Sequence, residues 1–232
     1  MIAGFLATAG GASAQPVPID LYSTGMVPGG GALAPAGAPD GNYALIFAPP
    51  TFPIFVPATV VGPAMPAAWL ANDAASQWIN PDSLGSGPST FHPGGTYVYE
   101  TIFDLTGLDH STVAISLDWM ADDNTVIDGV IAINGTLVPS SGTGPGPGSW
   151  SAFTSIAFGS ATPGLGAAFL PGLNSLTFTV TNEQTLLIPT GPTGVRVHIL
   201  SATAELIPSP GAGTQIALAG LIAVGRTRRG AV

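Results

Sequence analysis

The chain has 232 residues, a formal net charge of −9, no Cys and no Lys. Lack of Cys rules out disulfides, thiol catalysis and Cys-based zinc sites, and thirteen acidic residues against four Arg leave no basic surface for a nucleic-acid backbone. Charged side chains are only 7% of the chain, while 32 Gly and 23 Pro punctuate its apolar runs; this suits strands joined by many turns better than charge-patterned helices.

In chain order, residues 2–9 form a short apolar region, and Ala12-Ser13-Ala14 reads as an A-x-A cleavage signal before Gln15, with Ala12 and Ala14 as the small residues. This predicts a signal peptide over 1–14. Its basic leader is missing, and a plain Ala/Gly tail is the alternative reading. Residues 15–207, about 190 in number, are enough for one domain with a real core. All thirteen acids lie in that span, against the single base Arg196. Such a domain repels nucleic acid and anionic lipid, and cations are its natural small partners.

Apolar residues alternate with period two instead of following a helical period. Val113, Ile115, Leu117 and Trp119 share one strand face, with Ser116 and Asp118 on the other. Leu176, Phe178 and Val180 likewise point inward, with three Thr outward. Val195, Val197 and Ile199 face inward, placing Arg196 and His198 outward; the phase then flips to Leu200, Ala202 and Ala204, which predicts a β-bulge near Ile199-Leu200. Further strands are expected at 43–47, 59–61, 96–105, 126–137 and 151–158, with Asn134-Gly135 turning a hairpin. Helix is sparse, with one turn near 71–77. Residues 27–40 and 140–149 read as loops. The expected fold is all-β, an antiparallel jelly-roll-type β-sandwich.

Asp118, Asp122, Asp123, Asn124 and Asp128 crowd a strand end and the loop after it. Close-set oxygens of this kind suit structural Ca²⁺; the alternative is turn chemistry, with Asp and Asn bonding nearby backbone N–H groups. No other cofactor is expected. Trp69, Trp78, Trp119 and Trp150 could stack on sugar rings or fill the core. Trp119 and Trp78 read as core, while Trp69 and Trp150, near loops, are the candidates for glycan stacking. His92, His110 and His198 have no metal-ligand spacing, and no nucleophile elbow, P-loop or zincin motif is present. No enzyme is expected, with a glycoside hydrolase built on paired carboxylates as a remote alternative.

The chain closes with Pro208-Ser209-Pro210, an apolar run over 211–225 and a cluster of Arg226, Arg228 and Arg229. The run is 15 residues, about 22 Å as a helix against a hydrocarbon core of roughly 30 Å. It predicts a short transmembrane helix with a cytoplasmic Arg end, the alternative being a small buried helix of the domain. This three-part order over 208–232 resembles the PEP-CTERM sorting signal of exported bacterial proteins, with Ser209 where the family usually has Glu. The resemblance implies that Pro208, Ser209 and Pro210 are read by an exosortase-type transpeptidase. The stretches 75–79, 93–108, 119–124, 131–135 and 192–197 are together similar to a galactose-binding-like β-sandwich common in such sorted proteins. Both resemblances imply an exported, membrane-anchored envelope protein with a structural or adhesive role at the cell surface or in an extracellular polysaccharide matrix. A carbohydrate-binding module is the alternative.

Overall fold

A computed structural model describes residues 15–50, 53–62, 65–81, 92–122, 131–139, 149–183 and 190–208. The strands are β1 (Pro16–Pro18), β2 (Pro39–Phe47), β3 (Val56–Val60), β4 (Ile79–Asn80), β5 (His92–Pro93), β6 (Gly95–Asp104) and β7 (Leu108–Asp122). They continue with β8 (Ile131–Ile133), β9 (Thr136–Leu137), β10 (Thr154–Gly159), β11 (Leu173–Asn182), β12 (Thr190–Gly191) and β13 (Gly194–Leu206). One 3-10 turn, Ser149–Ser151, precedes β10. No α-helix occurs among the described residues, and none there is long and apolar enough to cross a membrane. The segments predicted as signal and transmembrane helix lie outside the described residues.

Among the described residues every strand pairing is antiparallel. One sheet runs β10-β7-β13-β4-β3-β2-β6-β11-β8-β9, with β1 added to β13, and β5-β12 form a separate ribbon. The sheet curls so that its two wings share a core. Val113, Ile115, Leu117 and Trp119 of β7 meet Leu176, Phe178 and Val180 of β11 in one buried cluster, with the Trp119 and Phe178 rings 6.1 Å apart. Period-two burial along both strands creates this: each buries one face and leaves Ser, Thr or Asp on the other. Burying each large apolar side chain contributes roughly 1.5–3 kcal/mol.

The phase flip in β13 is a bulge: Ile199 pairs with Leu117, and the next pair is Ser201 with Ser116. Val195 and Val197 point into the core before it, Ala202 and Ala204 after it. The segment after β1 supports the irregular stretch, since Ser23 Oγ accepts from Ile199 N at 3.0 Å and Thr24 Oγ1 from Val197 N at 3.0 Å. Asn134 and Gly135 turn β8 into β9 with φ of 47° and 79°, the conformation of a two-residue hairpin in which Gly has no Cβ to clash.

Strand boundaries differ from expectation at two places. The strand expected at 151–158 starts at Thr154, because the 3-10 turn takes Ser151. The strand expected at 59–61 begins earlier, at Val56. Residues 126–130 and 140–148 lie outside the described residues.

Tyr99 sits at 0% exposure in the shared core, and its hydroxyl has no hydrogen-bond partner among the described residues. Burial pushes its phenol well above the ordinary value. A buried O–H without a partner has lost its bonds to water, so Tyr99→Phe should raise unfolding free energy by about 1 kcal/mol. Chemical denaturation checks this, and a destabilised variant would show that the hydroxyl is satisfied in solution.

Candidate functional site

Past Trp119, the alternation along β7 ends and both faces are buried. Trp119 and Ala121 belong to the main core. Met120, on the outward face, joins a second cluster with Val61, Trp69 and Trp78, against which Met65, Trp150 and Phe153 pack. A cover made of residues 65–78 and 149–153 therefore closes this part of the outer face.

Arg196 pairs with Met120 in register and is placed beneath that cover, at 0% exposure. The sequence reading placed it outward, and it does point away from the main core; it is buried because the outward face is itself covered. Its Nη1 donates to Ala71 O at 2.6 Å and its Nε to Ser76 Oγ at 2.8 Å. Nη2 forms an ion pair with Asp73 at 2.6 Å. The guanidinium carbon lies 5.0 Å from the Phe153 ring centre, a cation–π distance. Asp73 also closes the turn expected near 71–77, accepting from Ala75 N at 2.8 Å and Ser76 N at 3.0 Å. Partial burial pulls the Asp73 carboxyl upward, but these two N–H bonds and the Arg196 charge outweigh it and hold it below its usual range.

The cover holds the candidate aromatics. Trp69 is 7% exposed, stacks on Trp78 with ring centres 4.2 Å apart, and donates its indole N–H to Asp122 Oδ2 at 2.6 Å. Trp78 N–H donates to Asn72 Oδ1 at 2.8 Å, and its indole to Leu70 O at 2.9 Å. Trp150 is half-buried, its carbonyl accepting from Leu70 N at 2.7 Å. Gly194 permits the close fit: a Cβ there would lie 2.7 Å from Ile79 O and 3.0 Å from the Trp69 ring. An open cleft of about 530 Å³ flanks this cover, lined by Val61, Met65, Trp69, Asn72 and Gln77 among others.

Of the candidate calcium ligands, Asp118 and Asp122 are described. Asp118 accepts from Ser155 Oγ on the neighbouring β10, and Asp122 is buried against Trp69. Asp123, Asn124 and Asp128 lie outside the described residues, among which no group of three or more His, Cys, Asp or Glu could hold a metal. Pro208 is exposed just past β13. Ser209, Pro210, Arg226, Arg228, Arg229, Ala12 and Ala14 lie outside the described residues.

A second groove, of about 480 Å³, lies on the outer face of the other wing and was not anticipated from sequence. Asp20, Tyr22, Asp40, Asn42, Phe55 and Glu100 are among its lining residues. Phe55 is 77% exposed and has a φ of 58°, an uncommon conformation for a bulky side chain. Its signal in the sequence is faint: Phe55 lies between Pro53 and Pro57 in an apolar run with no clean alternation. Asp40 is buried at the groove floor, accepting from Gly25 N at 2.6 Å, Asn42 N at 2.8 Å and Tyr43 N at 3.1 Å. Burial raises its carboxyl to about 6, against the opposing pull of those three bonds. Tyr22 OH donates to Asp20 Oδ1 at 3.1 Å. The groove thus combines an exposed aromatic ring with carboxylate acceptors and no base.

Comparison with protein-family models, curated proteins and solved structures finds no match for this chain.

Arg196→Ala should destabilise the fold by roughly 3 kcal/mol, since it leaves a cavity and strips Ala71 O and Ser76 of their donor. Tryptophan fluorescence should shift with it, because Trp69, Trp78 and Trp150 share the cover. An unchanged melting temperature would show that the cover stands without Arg196. Asp40 gives a pH signature. Its folded value, about 6, exceeds the unfolded one, so between about pH 4 and 6 the native state holds more protons. Its stabilising contribution is complete below about pH 4 and is lost as pH rises through about 6, on the order of 2–3 kcal/mol. Asp73, held low, acts below that window. Asp40→Asn should flatten melting temperature across pH 4–6, and an undiminished slope would assign the effect elsewhere.

Proposed function

We propose that the chain is an exported bacterial envelope protein of the PEP-CTERM type with a structural or adhesive, non-catalytic role at the cell surface or in an extracellular polysaccharide matrix. In this reading residues 1–14 lead it out, 15–207 form the cargo, and 208–232 hold it in the membrane until an exosortase-type transpeptidase acts at Pro208, Ser209 and Pro210. The curled sheet is read as a jelly-roll-type sandwich of the galactose-binding-like kind.

The observation that carries this reading is where the last strand stops. β13 ends at Leu206, and Ile207 and Pro208 after it are exposed. Pro208, the first residue of the motif in this reading, is thus exposed, which suits access by a protease-like enzyme at the membrane. Pro16 of β1 pairs with Glu205 of β13, so the first and last described strands lie side by side. A cargo with one base against thirteen acids also stays off anionic headgroups.

Expression of a tagged chain in an exosortase-bearing bacterium tests this. The full chain should fractionate with the envelope, and truncation after residue 207 should release it to the medium. Pro208→Ala with Pro210→Ala should leave an unprocessed, membrane-held form. An intact, soluble cytosolic chain would end the proposal.

A further inference from the structure

We propose that the groove beside Phe55 binds a neutral saccharide. This rests on the reading of the domain as a resident of a polysaccharide-rich surface, and it places recognition away from the tryptophan cover.

Phe55 carries two costs with no packing return: a left-handed backbone at φ 58° and a ring 77% exposed to water. The backbone is held there from both sides. Phe55 N donates to Leu45 O at 2.6 Å, and Val56 pairs with Leu45 at the start of β3. Strain that the surrounding chain maintains while the ring stays in water fits a ring kept for a ligand.

Beside it, the groove offers oxygen acceptors. Asp40 is taken up by three backbone N–H groups, which leaves Asp20 and Glu100 as its acidic rim. Glu100 stands on the outward face of β6, opposite Ala44 of β2 and Thr177 of β11, with no ion pair among the described residues. A hexose has an apolar C–H face that stacks on an aromatic ring and a rim of hydroxyls that donate to carboxylates, in charge-assisted bonds stronger than neutral ones. Uronates, sulfates and phosphates are repelled, because the groove contains no base and Arg196 is buried beneath the other cover. Ile102, half-exposed in the same lining, extends the apolar floor.

The full chain, purified in detergent, is titrated calorimetrically with neutral gluco- and galacto-oligosaccharides, with oligouronates and with cationic glucosamine oligomers. Neutral oligosaccharides should bind. Phe55→Ala should weaken them at least tenfold and Phe55→Trp should restore them, and Glu100→Gln should weaken them several-fold. Phe55→Gly, which suits the positive φ, should abolish binding while the melting temperature stays level or rises, separating recognition from folding. Preference for uronates or for cationic oligomers, binding indifferent to Phe55, or no binding across the neutral panel at millimolar concentration each overturns the proposal. Failure here with the chain correctly at the envelope removes the groove alone, whereas a cytosolic chain removes the export reading.

Discussion

The outer side of the sheet depends on a buried cation. Arg196 lies under an irregular cover, and taking a guanidinium out of water costs several kcal/mol unless its donors are satisfied. Here Ala71 O, Ser76 Oγ, the Asp73 carboxylate and the Phe153 ring surround it. The dependence runs both ways. Residues 65–78 contain no regular strand beyond the cover's margin, so their backbone groups need partners from elsewhere. Arg196 supplies one to Ala71, and Asn72 joins Val61 to Trp78. β13 is thereby buried on both faces, Val195 and Val197 toward the main core and Arg196 toward the cover.

Much of the sheet was legible in the sequence because period two records which residues share a face. The inward rows of β7 and β11, the bulge after Ile199 and the Asn134-Gly135 hairpin all follow from that pattern and from turn chemistry. Arg196 shows the limit of the pattern. Alternation assigns it to the outward face correctly, yet says nothing about whether that face meets water. What covers it is a loop, and loops have no period to read. Trp69 illustrates the same gap from the other side: proximity to a loop made it a stacking candidate, but the loop folds back on the sheet and its indole N–H is bonded to Asp122.

The two ends of the described fold share one region, where the last strand is bonded along both edges. In its last third β13 lies between β7 and β1: Thr203 pairs with Ala114 and with Pro18, and Glu205 with Asp109 and with Pro16. A strand bonded along both edges resists pulling as many hydrogen bonds loaded in parallel, whereas an edge strand could peel one bond at a time. Pro16 and Pro18 add a second property. Lacking N–H groups, they make β1 a poor template for further strand addition.

Aromatic content alone does not locate a recognition surface in this chain. The tryptophans are the largest rings and the natural first suspects, yet Trp78 and Trp119 are fully buried, Trp69 nearly so, and the indole N–H groups of Trp69 and Trp78 bond within the fold. Phe55 has no polar edge, sits outside both clusters, and is held in a backbone conformation that most side chains avoid. What separates it from the tryptophans is what each ring gives back to stability: theirs fill space between chain segments, while its own ring fills none. Where a fold maintains strain and exposure together at one position, relief by Gly would be the simple stabilising change, and the side chain there is not explained by folding.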